Sequence, residues 1–153
     1  MATVRFRRAS ITDLPDIVAL LADDELGRQR EHVGPPLHPN YEIAFEAVAT
    51  DPNQLLAVAE QEDERVGCLQ LSFIPGLSHV GLWRGQIESV RIASKHRGSG
   101  LGRKFIEWAV ETCQQRGCGM IQLTTDKSRA EALRFYQSLG FTASHEGMKL
   151  DLT

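Results

Sequence analysis

Apolar residues along the chain recur with two different periods, and these periods predict helices and strands in alternation. Helical spacing covers residues 14–24, 41–50, 100–116 and 129–140. Shorter apolar or alternating segments, which are typical of strands, lie at residues 3–9, 54–61, 66–75, 86–93, 120–126, 141–144 and 147–153. The predicted order is therefore β-α-α-β-β-β-α-β-α-β-β.

This order indicates how the elements pack. Strand, helix and strand in succession, as in residues 86–126, are typical of a parallel pair, whereas short turns such as residues 62–65 join antiparallel hairpins. A final hairpin is expected at residues 141–153. The predicted fold class is α/β (α+β), with a central mixed sheet flanked by helices on both faces.

Local signals refine the ends and faces of these elements. Ser10 with Asp13, and Ser128 with Glu131, have the spacing of capping boxes at the starts of two helices. The helix at 100–116 carries an apolar stripe that should face the core, formed by Leu101, Phe105, Trp108, Ala109 and Thr112. Strict alternation in the strand at 86–93 would separate Ile87, Ser89 and Arg91 on one face from Glu88, Val90 and Ile92 on the other.

Length and composition bound the class of protein. The chain has 153 residues, 42% of them hydrophobic, and no repeat or linker divides it, so one domain over residues 1–153 is expected. A net charge of −3 gives no overall attraction to nucleic acid, and no apolar run is long enough to span a bilayer. Three cysteines without metal-ligand spacing predict neither disulfides nor a metal site, which fits a cytoplasmic protein. The oligomeric state, a homodimer included, stays open.

The segment KHRGSGLGRK, residues 95–104, is the main candidate for chemistry. Its three glycines stand at the mouth of a helix, where unpaired N–H groups and the helix dipole favour an anion. No acidic residue occurs between 91 and 104. The segment lacks the Gly-Lys-Ser/Thr of a Walker A loop and the last glycine of a dinucleotide fingerprint. A flexible helix entry with solvated bases is the structural alternative.

Residues 97–102, Arg-Gly-Ser-Gly-Leu-Gly, resemble the R/Q-x-x-G-x-G/A signature of the GNAT superfamily of N-acetyltransferases. The resemblance extends to IESVRIASKHRGSGLG and to RAEALRFYQSLGF, residues 129–141. It implies a GNAT-like fold with a splayed sheet and transfer of an acetyl group from acetyl-CoA to a primary amine of a small molecule or protein. It also implies direct attack by the amine within a ternary complex.

The same resemblance assigns the cofactor site. The pyrophosphate is expected on Arg97, Gly98, Ser99, Gly100, Leu101, Gly102 and Arg103. The pantetheine arm is expected on the backbone of Val90, Arg91 and Ile92, with the Ile92 N–H polarising the thioester carbonyl. The family's asparagine before the last helix is missing from TTDKSRAEA, residues 124–132, so its role is not carried over.

Two side chains are candidates for proton transfer. Glu88 corresponds to the family's general base, although an exposed or arginine-paired carboxylate on a half-open strand is an equal alternative. Tyr136 corresponds to the family's acid, which protonates the departing thiolate, although it also belongs to an apolar stripe with Ala132, Leu133 and Leu139.

The acceptor amine is not identified by the sequence. Asp23, Asp24 and Glu25 either attract a cationic amine or form a solvated charge run, and Trp83 either lines the cleft or packs. Two other functions are alternatives: a non-catalytic acyl-CoA-binding sensor or scaffold, which would leave Glu88 and Tyr136 inert, and nucleic-acid binding. The second is disfavoured because the bases are confined to one loop.

Overall fold

The computed structural model describes residues 2–153, which form two compact units that divide between Gln122 and Leu123. The first unit contains a mixed sheet with strand order β1-β2-β3-β4-β5. Its strands are β1 (Arg5–Arg8), β2 (Gln54–Gln61), β3 (Glu64–Ile74), β4 (Arg84–Ile92) and β5 (Met120–Gln122). Neighbouring strands pair antiparallel except β4 and β5, which are parallel. The predicted mixed α/β fold is confirmed.

Four helices belong to the first unit and one to the second. They are α1 (Leu14–Ala22), α2 (Glu25–Arg30), α3 (Pro39–Thr50), α4 (Leu101–Gln115) and, in the second unit, α5 (Ala130–Ser138). Short helical turns occur at Ile11–Asp13, Ser78–Gly81 and Ser94–His96. Among residues 2–153, no helix has both the length and the apolar character needed to traverse a bilayer.

The core of the first unit lies on both faces of the sheet. On one face Val58 and Cys68 pack against Ile17 and Leu20 of α1. The opposite face carries the side chains that alternate with these, such as Leu55, Ala57, Leu71, Phe73 and Ile87, all buried, and it is covered by α4. Helix α4 lies so close to β4 that a side chain at Gly85 would collide with the Cys113 sulfur.

The apolar stripe predicted for α4 is largely confirmed. Leu101, Phe105 and Ala109 are buried, and Phe105 stacks on Phe6 of β1 with ring centroids 4.9 Å apart. Trp108 and Thr112 are only half-buried, because the helix presents Ile106 and Cys113 more directly to the sheet.

An ion-pair network anchors the start of α1 to the sheet. Asp13 is 0% exposed and accepts hydrogen bonds from Arg7 at 2.8 and 3.0 Å and from Arg65 at 2.6 Å. Its carboxylate also accepts from the Ser10 N–H, so the predicted capping box is present. Hydrogen bonding to the Arg7 guanidinium holds the pKa of the Asp13 carboxyl well below its usual range.

Two expectations for the C-terminal part are wrong. Ser128 does not cap α5; its N–H and hydroxyl both donate to the Asp126 carboxylate, and the residue before the helix is Arg129. The structure also contains no strand at residues 141–153, where a hairpin was expected. The alternating Met148, Leu150 and Leu152 are 92%, 85% and 88% exposed, so no core covers the face that their alternation would bury.

Candidate functional site

A β-bulge in β4 determines which side chains share a face. Glu88 lies opposite Gln70, and Arg91 lies opposite Cys68, so β4 uses one residue more than β3 over this interval. Ser89 adopts a left-handed backbone with φ 57° at this point. The strict alternation expected for β4 is therefore wrong, because the extra residue turns Arg91 to the face that carries Glu88.

Beyond the bulge, β4 is paired on one side only. Its pairing with β5 runs from Arg84 opposite Met120 to Gln86 opposite Gln122 and then stops. Within residues 2–153, no strand pairs with the remainder of β4 on that side. The backbone of Val90 and Ile92 therefore lies along an open strand edge, which is the arrangement that a splayed sheet requires.

The glycine-rich loop joins this open edge to α4. Gly98 and Gly100 have φ of 78° and 86°, a region that favours glycine, and a Cβ at either position would meet no atom within 4 Å. Gly100 is the N-cap, and its carbonyl accepts the Lys104 N–H at 3.2 Å. This is the first hydrogen bond of the helix. The N–H groups of Gly102 and Arg103 come before Lys104 in the chain, so they belong to the first turn, whose N–H groups have no acceptor within the helix. The two glycines leave open space immediately in front of this turn.

Four of the five lysines and arginines between residues 91 and 104 are paired with carboxylates outside that segment. The pairs are Arg91 with Asp24 at 3.1 Å, Lys95 with Glu64 at 2.6 Å, Arg97 with Asp23 at 3.8 Å, and Arg103 with Glu107 at 3.8 Å. The absence of acidic residues between 91 and 104 therefore overstated the positive charge of the loop. Backbone N–H groups and the helix dipole carry more of the attraction for an anion than the sequence indicated.

The acidic residues after α1 hold the loop in place. The Asp23 carboxylate accepts a hydrogen bond from the Ser94 hydroxyl at 3.0 Å, and the Asp23 carbonyl accepts one from Arg97 at 2.9 Å. Asp24 accepts a hydrogen bond from the Gly27 N–H at the start of α2, in addition to its ion pair with Arg91. The carboxylates of Asp23 and Asp24 therefore have structural roles, in holding the loop and β4, rather than forming a binding surface for the amine.

Glu88 stands on the sheet face that α1 covers. It is exposed, and its Oε1 lies 3.5 Å from the Ser72 hydroxyl, at the outer limit of a hydrogen bond. Ser72 is tied to Gln54, which accepts its hydroxyl at 3.1 Å and also accepts the Gln70 amide at 2.9 Å. The polar side chains beside Glu88 are thus held in a fixed row, while the carboxylate itself stays accessible.

Tyr136 belongs to the second unit. It lies on α5, is half-buried, and makes edge-to-face contacts with Phe135 and Phe141 at centroid distances of 5.1 and 5.7 Å.

Trp83 is 37% exposed, and its carbonyl accepts the Gly119 N–H at 2.9 Å. Among the described residues, no three potential metal ligands come together.

Comparison with known proteins gives consistent results. A sequence model described as the acetyltransferase (GNAT) family matches residues 16–141. The aminoalkylphosphonate N-acetyltransferase of Salmonella typhimurium is 29% identical over 95% of this chain and 89% of its own. A crystal structure named as a transcriptional regulator from Bacillus halodurans is 49% identical, with a TM-score of 0.96 over 98% of this chain and 100% of that chain. A putative acetyltransferase from Agrobacterium tumefaciens, 24% identical, shares the fold with a TM-score of 0.85 over 96% of this chain and 99% of that chain.

Proposed function

This chain belongs to the acetyltransferase (GNAT) family and is an acetyl-CoA-dependent N-acetyltransferase, and we propose that it transfers the acetyl group directly to a primary amine of a small molecule or a protein. The observation that carries the proposal is the junction of an open β4 edge with the glycine-lined start of α4. The N–H groups at the start of α4 can donate hydrogen bonds to a diphosphate, and the open edge of β4 can pair with an extended arm that carries amide groups.

The coenzyme would bind along this junction. Its pyrophosphate would accept hydrogen bonds from the backbone of the loop at 97–103, where Gly98 and Gly100 leave open space. Its pantetheine arm would pair with the backbone of Val90, Arg91 and Ile92, as an added strand pairs with a sheet edge. The Ile92 N–H would then donate to the thioester oxygen, on which negative charge develops.

Glu88 would remove the proton from the acceptor ammonium. An alkylammonium has a pKa of about 10, so it must lose a proton before its nitrogen can attack the thioester carbon. The exposed carboxylate of Glu88, 3.5 Å from the Ser72 hydroxyl, has the access that a water-mediated base needs. Attack forms the C–N bond, and collapse of the tetrahedral intermediate breaks the C–S bond and releases a second proton from nitrogen. The Tyr136 phenol would donate a proton to the departing thiolate and would be reprotonated from solvent, which takes up the second proton from nitrogen. Glu88 would pass the first proton to solvent, so that the products are free CoA, the amide and one net proton.

The test combines binding with turnover. Calorimetry should detect CoA binding, and thiol release from acetyl-CoA should require an added amine. Glu88→Gln should lower kcat about a hundredfold with an unchanged Kd for CoA, because only proton transfer is impaired. Glu111→Gln, at an exposed glutamate of α4 outside the site, is the control and should have normal activity.

Three results would count against the proposal. Absence of any heat from CoA would exclude the cofactor site. Full activity of Glu88→Gln would make that carboxylate structural. Heat from CoA without thiol release for any amine would favour the non-catalytic sensor or scaffold.

A further inference from the structure

A pocket of about 100 Å³ opens between α1, α3 and the sheet face that carries Glu88. The wall from α1 and α3 is almost entirely apolar and includes Leu21, Ala44, Phe45 and Val48. A cavity of about 150 Å³ with such a lining can hold a benzene molecule, so this pocket has room for a short alkyl chain or part of a ring. No residue of α3 is buried, so the packing of α3 against the sheet does not close the pocket.

The floor of the pocket leads to the proposed reaction centre. Gln70 and Ser89 both line it; Gln70 lies directly opposite Glu88 in the β3–β4 register, and Ser89 is the next residue after Glu88. Glu88 itself does not line the pocket, but it borders these two lining residues, and its carboxylate lies 3.5 Å from the Ser72 hydroxyl, just beyond the sheet end of the pocket. A molecule with its apolar part against α3 would direct its other end toward this carboxylate.

The charges around the pocket favour a cation and disfavour an anion. No lysine or arginine lines it. Tyr41, which does, donates its phenolic hydrogen to Glu31 at 2.8 Å, so a second carboxylate lies beside the wall. Two bases lie nearby. Arg91 is across the β-ladder from the lining residue Cys68, and its charge is balanced by Asp24 at 3.1 Å. Arg8 is exposed and lines an adjoining, smaller cleft rather than the pocket itself.

We propose that this pocket binds the acceptor and selects a primary amine with an uncharged apolar body, such as an alkylamine or arylalkylamine, over amines that carry a phosphate or phosphonate. The apolar body is removed from water against α1 and α3, which favours binding in proportion to the area buried. The ammonium group is left at Glu88. An acceptor with an anionic tail would place that tail among carboxylates and apolar carbon, where burial of a charge is costly.

This inference depends on the proposed acetyl transfer, and its test separates the two. Thiol release from acetyl-CoA is measured with ethylamine, 2-phenylethylamine, 2-aminoethylphosphonate and glucosamine 6-phosphate, and CoA binding is measured in parallel by calorimetry. We expect kcat/KM for 2-phenylethylamine to exceed that for either phosphorus-containing amine about a hundredfold or more, since buried apolar contacts favour the first and desolvation penalises the others.

Two substitutions on α3 locate the effect. Ala44→Trp fills the pocket from an exposed helix position and should raise KM for 2-phenylethylamine about tenfold or more, while KM for the smaller ethylamine changes less than about twofold. Ala47→Trp, on the same helix but outside the pocket lining, is the matched control and should leave both KM values unchanged.

The outcomes are distinct. Normal CoA binding with a preference for either phosphorus-containing amine, or an Ala44→Trp variant with unchanged KM for 2-phenylethylamine, would overturn the substrate assignment and leave acetyl transfer standing. Absence of CoA binding would overturn both.

Discussion

The sharpest test of the cofactor loop is the replacement of Gly100 by aspartate. Gly100 is the N-cap of α4, with φ 86°, and a side chain there would extend into open space in front of the helix. Aspartate and asparagine are favoured N-cap residues and are the residues, after glycine, that most readily tolerate the left-handed conformation. Gly100→Asp should therefore preserve the fold while it places a carboxylate where the coenzyme phosphates are proposed to bind.

The size of the effect follows from Coulomb's law. Two unit charges about 4 Å apart interact by about 4 kcal/mol near a protein surface, where the effective dielectric constant is about 20. Even if salt and side-chain movement remove half of this repulsion, about 2 kcal/mol remains, which raises the Kd for CoA about thirtyfold.

Gly100→Asn is the matched control for this change. It has the same shape and the same backbone cost without the charge, so the ratio of the two Kd values isolates the electrostatic contribution. Calorimetric titration with CoA at low and high ionic strength supplies the measurement, and the ratio should shrink as salt increases. Equal CoA affinities for Gly100→Asp, Gly100→Asn and the unaltered protein would refute the placement of the pyrophosphate at this loop.

Three further predictions concern other parts of the chain. Tyr136→Phe should lower kcat about tenfold or more with less than about a twofold change in Kd for acetyl-CoA, since only proton donation is lost; unchanged turnover would make Tyr136 a packing residue. Asp13→Asn should lower the free energy of unfolding by about 3 kcal/mol and Tm by about 6–12 °C, because the buried Asp13 carboxylate loses its charge-assisted hydrogen bonds with the partly exposed Arg7 and Arg65. Because the pKa of Asp13 is lowered in the folded state, its contribution is present above about pH 4 and lost below it, so denaturation midpoints of the two proteins should converge in acid; a constant gap would contradict this. Gly85→Ala should destabilise by about 1–3 kcal/mol, since the new Cβ would lie 2.5 Å from the Cys113 sulfur, and adding Cys113→Ala should restore most of the loss in thermal unfolding; a single variant of normal stability would argue against this close contact.

Features encoded over short stretches could be predicted from the sequence. The capping box of Ser10 and Asp13 and the stripe through Leu101, Phe105 and Ala109 depend on spacings of three to eight residues, which period and side-chain chemistry determine. The succession of β4, glycine loop and α4 is likewise local, and it carried the resemblance to the family.

Features that depend on distant partners could not be predicted in this way. Arg97 is bound by Asp23, which is 74 residues away, so the charge balance of the loop cannot be obtained from residues 91–104 alone. The bulge at Ser89 depends on the register with β3, and strict alternation therefore misplaced Arg91. The alternation of Met148, Leu150 and Leu152 predicts a strand only if a partner strand and a core are available to it, and those requirements are not expressed in the segment itself.

The bulge also separates the length of β4 from the placement of its side chains. If Ser89 were deleted, β4 would have as many residues as β3 between the pairs that Gln70 forms with Glu88 and Cys68 forms with Arg91, and regular alternation would keep Arg91 on the face that carries Glu88. The ion pair between Arg91 and Asp24 could then form as before, while the left-handed residue and the local bend and added twist of a bulge would be lost. Among homologous chains, a strand one residue shorter between Glu88 and Arg91 should therefore occur only where that bend is not required.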